Sequence, residues 1–309
     1  MTTENPYINA AREAVESAAA ACAVIREHTL GSTTKDDRTP VTAADYAAQI
    51  LIIHSLRRAF PAIPVVAEED LSLLNTDSHR QIRTIVNDTI RAIDDSLPVA
   101  EIIDTFRTHN APEAWIVDPI DGTRGYISGD HYAIAVALKQ NDKITAGVLG
   151  CPTYKGGMLL HAAAGSGAYR VCGRTSEKIV LANAAPRYTQ SPSNCHSDFA
   201  LHAKIGAACG LDSGILTLDS QLKYAAVAMG EASAYFRIPA ALTGVREKIW
   251  DHAAGYIIIK EAGGCVSDRD GNELDFSQST MRTDCGVIAA ERGCHRKALD
   301  YLLGIRGRA

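Results

Sequence analysis

Apolar residues return at three- and four-residue steps from the start of the chain: Ile8, Ala11, Val15, Ala18, Cys22 and Ile25. That spacing predicts a first helix. Residues 31–39 read as a polar, charged loop. Thr42 is placed to cap a second helix, with Asp45 at the capping-box position and Tyr46, Ile50 and Ile53 on one face. Pro61 and Pro64 close that segment, and Val65-Val66 reads as a short strand running into Glu68-Glu69-Asp70. Residues 79–108 return to helical spacing, with Ile82, Val86, Ile90, Ile93 and Leu97 facing inward.

The pattern then shifts to strands over 114–118, 132–140, 144–150, 158–163 and 168–172, with Asn141-Asp142 and Gly165-Ser166-Gly167 as turns. Such short links favour antiparallel pairing. Ala133, Ala135 and Ala137 alternate with Ile134, Val136 and Leu138, so that strand has little polar surface and should be covered on both faces. The second half alternates: strand near 179–181, helix 198–208, strand 215–218, helix 221–231, strand 234–238, and a helix from about Trp250 to Ala262 closed by Gly263-Gly264. A soft domain division falls near Pro152, giving an N-terminal domain of residues 1–152 and a C-terminal domain of residues 153–309.

Composition narrows the function classes. A net charge of −5 provides no global basic field for nucleic acid or membrane, so an anionic ligand must be held locally. The start of the chain lacks a basic n-region, and the apolar run 18–25 is too short to span a bilayer. These features predict a soluble cytoplasmic protein acting on a small molecule; the expected assembly is a monomer or homodimer, a choice the sequence does not settle. The eight cysteines form no CxxC pair, which favours reduced thiols; the ten histidines do not join them at zinc-ligand spacing.

The chemistry concentrates in Trp115-Ile-Val-Asp118-Pro119-Ile120-Asp121-Gly122-Thr123, an apolar strand ending in two carboxylates three residues apart. Like charges there are costly unless a cation lies between them, and hard oxygen ligands suit Mg²⁺. Gly122 admits close backbone approach, and Thr123 could open a helix whose free N–H groups face a phosphate. Taken singly, the other acids have simpler readings: Glu68-Glu69-Asp70 as a solvated run, Asp45 as a cap, Asp251 as an acid favoured by a helix dipole.

In order and context, however, Asp45, Glu68-Glu69, Asp118-Pro-Ile-Asp121-Gly-Thr123 and Trp250-Asp251 resemble the lithium-sensitive phosphomonoesterases, the inositol monophosphatase superfamily. One departure is Ala67, where that family usually has Gly. Pro40-Val41-Thr42 followed by Asp45-Tyr46-Ala47-Ala48-Gln49, Ser220-Gln221-Leu222-Lys223-Tyr224, Arg237-Ile238-Pro239 and the run 247–255 resemble its 3′(2′),5′-bisphosphate nucleotidase branch.

The resemblance implies a layered αβαβα sandwich of α/β (α+β) class, with most metal ligands in the N-terminal domain and the last in the C-terminal domain. It assigns one Mg²⁺ to Glu68, Asp118 and the Ile120 carbonyl, a second to Asp118, Asp121 and Asp251, and a third near Glu68 and Asp45. Thr123 and Asp45 would relay a proton from the attacking water. Gly122, Thr123, His196, Ser220, Lys223 and Arg237 would contact substrate, the two cations clamping a second phosphate. The implied reaction releases the 3′-phosphate of 3′-phosphoadenosine 5′-phosphate to leave AMP, which would place the chain in sulfur metabolism; its sulfated precursor is a possible second substrate. An inositol polyphosphate 1-phosphatase and a non-catalytic nucleotide-binding regulator are the alternatives.

Overall fold

The computed structural model describes residues 5–29, 39–108, 110–194, 197–239, 247–281 and 286–306. Helix α1 (Pro6–Thr29) packs on α2 (Thr39–Ala59), which leads to the short strand β1 (Val65–Ala67). Helix α2 starts three residues before the expected cap, with Pro40 in its first turn, where a missing N–H costs nothing. Thr42 and Asp45 are therefore interior helical positions, and Asp45 is buried rather than capping. Helices α3 (Arg80–Ile93) and α4 (Val99–Thr105) follow, and Val86, Ile90 and Leu97 are buried as their spacing requires.

The chain then builds a sheet: β2 (Ala114–Asp121), the one-turn α5 (Thr123–Ile127), β3 (Ala133–Gln140), β4 (Lys143–Cys151), β5 (Met158–Ala163), β6 (Gly167–Cys172) and β7 (Thr175–Ile179). These strands form one seven-stranded sheet in sequence order, parallel at β1–β2 and antiparallel elsewhere. Pro152 lies between β4 and β5, which pair with each other, so the sheet runs on across that position to Ile179. Strand β7 lies earlier than the apolar run 179–181 suggests. It is a polar edge strand whose Thr175, Ser176, Glu177 and Lys178 face solvent, so alternation gives no signal for it.

A second sheet begins at β8 (Tyr188–Gln190). It continues through α6 (Phe199–Cys209), β9 (Ile215–Thr217), α7 (Leu222–Ala228), β10 (Ala234–Arg237), α8 (Ala253–Glu261), β11 (Cys265–Ser267), β12 (Val287–Ala290) and α9 (Arg292–Arg306). Its strand order is β11-β12-β10-β8-β9. A 3₁₀ turn, Ile249–Asp251, precedes α8.

The packing is five-layered. One face of the first sheet, with Trp115, Ile134, Val136 and Leu138, joins the core under α1 and α2. Its other face, with Ala133, Ala135, Ala137 and Leu149, joins a core that includes α7, α8 and Tyr235 and Val287 of the second sheet. Helices α6 and α9 cover the far side of that sheet through Ile205, Phe236, Ile288 and Leu302. Strand β3 is thus covered on both faces, as its alternation of Ala with larger residues predicts. Among the described residues no helix is long and apolar enough to cross a membrane.

Close approach of α7 and α8 depends on Gly255: a Cβ there would lie 2.3 Å from Cγ of the buried Tyr224. Gly255→Ala should therefore lower stability by about 1–3 kcal/mol or more, read as a reduced thermal midpoint. An unchanged midpoint would refute this packing.

Candidate active site

The parallel register of β1 and β2 sets Ala67 opposite Val117, so the next residues, Glu68 and Asp118, emerge side by side. The charge of Glu68 is among those that raise the Asp118 carboxyl. Ala67 sits in that strand with its N–H donated to Thr108 Oγ1 at 3.2 Å. It is not among the described residues with positive φ, so the local backbone does not require glycine.

Beyond Asp118 the β2–β3 register slips: Asp118 pairs with Ala135, but Asp121 pairs with Ala133. Three steps on β2 match two on β3, a bulge around Pro119 and Ile120. In a regular strand, residues three apart point to opposite faces. The extra residue brings Asp118 and Asp121 to one cleft, which both line. Gly122 then turns with φ +92°, and a Cβ on it would meet Ser220 Cβ at 3.0 Å, so glycine is needed for both reasons.

Asp251 reaches the same cleft from the turn before α8. Gln221 fixes that approach. Its backbone N–H donates to Asp121 Oδ2 at 2.7 Å, its Nε2 donates to the Trp250 carbonyl at 2.9 Å, and its Oε1 accepts from Gly255 N at 3.0 Å. On the opposite side, Gln49 of α2 exchanges two hydrogen bonds with the Glu69 backbone, at 2.8 and 2.9 Å. Asp45, one turn before Gln49, is buried in the field of Glu69 and Glu68. Thr123 lines the cleft, and its hydroxyl donates to the Ile120 carbonyl at 3.3 Å rather than to Asp45.

The electrostatics are strained. Burial, then the charge of Asp121, pushes Asp118 well above the usual carboxylate range. Burial and Glu69 raise Glu68 to about 7; burial and Asp121 raise Asp251 to about 8. Burial also raises Asp121, against the pull of Lys223. Asp118 Oδ1 is buried without a hydrogen-bond partner among the described residues. A divalent cation would satisfy that oxygen and remove the mutual repulsion, so the donor set fits a hard metal ion.

These raised values carry a sign. The folded, metal-free chain holds protons that the unfolded chain releases, so their contribution to stability is lost as pH rises through about 7 to 8. The thermal midpoint of chelator-treated protein should fall between about pH 6 and about pH 9. A midpoint that rises over that interval would contradict the buried acid cluster.

The expected substrate cations occupy unequal places. Lys223 is 2% exposed. Its Nζ donates to the Ser220 carbonyl at 2.6 Å and lies 5.3 Å from the Tyr235 ring centre. Burial lowers it to about 8 despite Asp121. Ser220 and Lys223 line a small recess beside the cleft, shared with Asp121, Arg237 and Asp251. Arg237 borders both spaces and pairs with Glu247. Burial alone would raise Glu247, but His252 and Arg237 outweigh it and hold its carboxyl well below the usual range. The main cleft, about 600 Å³, is closed on the second-sheet side by Ser191–Ser193 and Asp219, and Arg124 stands exposed at its rim. His196 lies outside the described residues. Gln49, Gln221 and Glu247 are site-forming residues that sequence reasoning does not single out. All three fall inside the motif runs named above, the one available signal.

The profile of the inositol monophosphatase family matches residues 4–304. A 3′(2′),5′-bisphosphate nucleotidase of Oryza sativa is 35% identical, covering 93% of this chain and 92% of its own. One from Schizosaccharomyces pombe is 34% identical, covering 87% and 85%. The crystal structure of CysQ from Bacteroides thetaiotaomicron, a bacterial member of the inositol monophosphatase family, superposes with a TM-score of 0.65 at 21% identity, covering 94% and 99%.

Proposed function

Since the chain belongs to the inositol monophosphatase family, we propose that it is a 3′(2′),5′-bisphosphate nucleotidase that converts 3′-phosphoadenosine 5′-phosphate to AMP and phosphate. The observation that carries the reading is the convergence of Glu68, Asp118, Asp121 and Asp251 on one cleft around a buried, unpartnered Asp118 oxygen.

In this reading Glu68, Asp118, Asp121, Asp251 and the Ile120 carbonyl would hold two Mg²⁺, and Asp45 with Glu68 would hold a third. Magnesium so held supplies neutralising charge for the phosphate and acidifies water for in-line attack. Thr123 passes the water's proton towards Asp45, which its burial suits for accepting one; the hydroxyl must first leave the Ile120 carbonyl. The bulge at Pro119 keeps the reacting acids fixed relative to the N–H groups that follow Gly122. Arg237 and Lys223 hold the nucleoside side of the substrate, and Ser220 positions Lys223 through its carbonyl.

A phosphate-release panel tests this directly. Activity should require Mg²⁺, be inhibited by Li⁺ and by excess Ca²⁺, and favour 3′-phosphoadenosine 5′-phosphate over inositol 1,4-bisphosphate and fructose bisphosphate. Faster release from the inositol compound would move the assignment to an inositol polyphosphate 1-phosphatase. No release from any substrate, with nucleotide binding intact, would make the chain a regulator. A cytoplasmic monomer or homodimer is the accompanying expectation, checked by fractionation and solution mass.

A further inference from the structure

Arg237 stands between two acids at unequal distances. Its Nε donates to Glu247 Oε1 at 2.9 Å, and its Nη2 lies 2.6 Å from Glu247 Oε2. The same Nη2 is 3.9 Å from Asp251 Oδ2. The pair is poorly exposed, with side chains 17% and 10% accessible, so solvent screens it little. Behind Glu247, His252 Nε2 lies 3.6 Å from its Oε2, outside hydrogen-bond range, and the Tyr224 hydroxyl and His252 Nδ1 are 2.8 Å apart. Glu247, Asp251 and His252 bring potential ligand atoms within 4.8 Å of one another, a grouping that could itself suggest a metal site. The twin contact with Arg237 occupies both Glu247 oxygens and argues for another role.

We propose that Glu247 is a positioning residue that holds Arg237 off Asp251, leaving the Asp251 carboxylate available to a divalent cation. The inference rests on the reading of Asp251 as a cation ligand. If Glu247 lost its charge, Asp251 would be the nearest acid to the guanidinium, and a shift of about 1 Å would make a charge-assisted hydrogen bond. That bond would compete with the cation for the charge of the same carboxylate. Glu247 therefore does two things with one contact: it orients Arg237 along the substrate side and prevents it from neutralising the metal side.

The test is direct Mn²⁺ binding by titration calorimetry on the full chain without substrate, with circular dichroism as the fold control. Glu247→Gln keeps the shape and removes the charge; it should weaken Mn²⁺ about tenfold. The double variant Glu247→Gln/Arg237→Met removes the competitor as well and should return to within about twofold of the parent. A merely structural Glu247 would not be rescued by losing Arg237. Arg237→Met alone should bind Mn²⁺ at least as tightly as the parent, which keeps the test alive should Glu247→Gln fail to fold. Unchanged affinity in Glu247→Gln, a double variant as weak as the single, or clear weakening in Arg237→Met overturns the inference. Asp251→Asn separates the two levels: it should weaken Mn²⁺ strongly, and parent-like binding would overturn the ligand reading and this inference with it.

Discussion

Asp118→Asn should lower turnover about 10³-fold, equivalent to about 4 kcal/mol of lost transition-state stabilisation, at saturating Mg²⁺. Asp118 lies in the field of Asp121, Glu68 and Asp251, and carries the one cleft carboxylate oxygen that is both buried and unpartnered among the described residues. An amide there removes charge from the centre of the acid set. The same change relieves repulsion in the absence of metal, so the metal-free variant should melt no lower than the parent, and higher above neutral pH. Loss of activity with retained stability separates a chemical role from damage to the fold. Turnover above about a tenth of the parent, a loss below ~1.4 kcal/mol, would end the assignment of Asp118 to the metal site.

Arg237→Ala should raise KM for the nucleoside bisphosphate about tenfold to a hundredfold, with a smaller change in kcat. A small phosphate monoester, which offers no second anionic group, should be affected much less. The structure sharpens this expectation. Arg237 borders both the main cleft and the recess that contains Lys223, and its guanidinium is already oriented by Glu247. In the proposed role, substrate would meet a prepositioned cation rather than order a free one, which favours binding. Steady-state kinetics on the two substrates read the contrast. Equal losses on both would assign Arg237 to the integrity of the site rather than to recognition.

The residues that sequence reasoning locates best are those whose chemistry conflicts with their local pattern. Two acids closing an apolar strand at Asp118 and Asp121 have no comfortable structural explanation, and Glu68-Glu69 after a second strand repeats the conflict. The αβαβα layering is what the resemblance implies; the Ala and Ile/Val/Leu alternation of β3 by itself indicates only cover on both faces of that strand, which the structure provides.

What the sequence conceals is set by contacts distant along the chain. The bulge that brings Asp118 and Asp121 to one cleft depends on pairing with β3 and cannot be counted from spacing. Asp45 looks like a cap because the earlier start of α2 is not signalled by the polar run before it. Gln221 resembles any polar helix-start residue until Asp121, Trp250 and Gly255 are seen around it. Lys223 reads from sequence as a substrate cation, and the structure buries it among Ser220, Asp121 and Tyr235. The three-residue β8 and β11 are too short for periodicity to register, whereas α9 carries helical spacing at Cys294, Ala298 and Leu302 that the sequence reading leaves unused.

The shared middle layer has a consequence for biosynthesis. All strands of the first sheet are complete once Ile179 has been made, yet the cover for its inner face, α7 and α8, is encoded only at Leu222–Ala228 and Ala253–Glu261. A nascent chain emerging from the ribosome would hold Ala133, Ala135, Ala137 and Leu149 bare throughout that interval. Such a face invites association with other unfinished chains. Escape from it depends on how quickly the later helices arrive, so translational pauses between 180 and 253 should be poorly tolerated and chaperone capture most productive there.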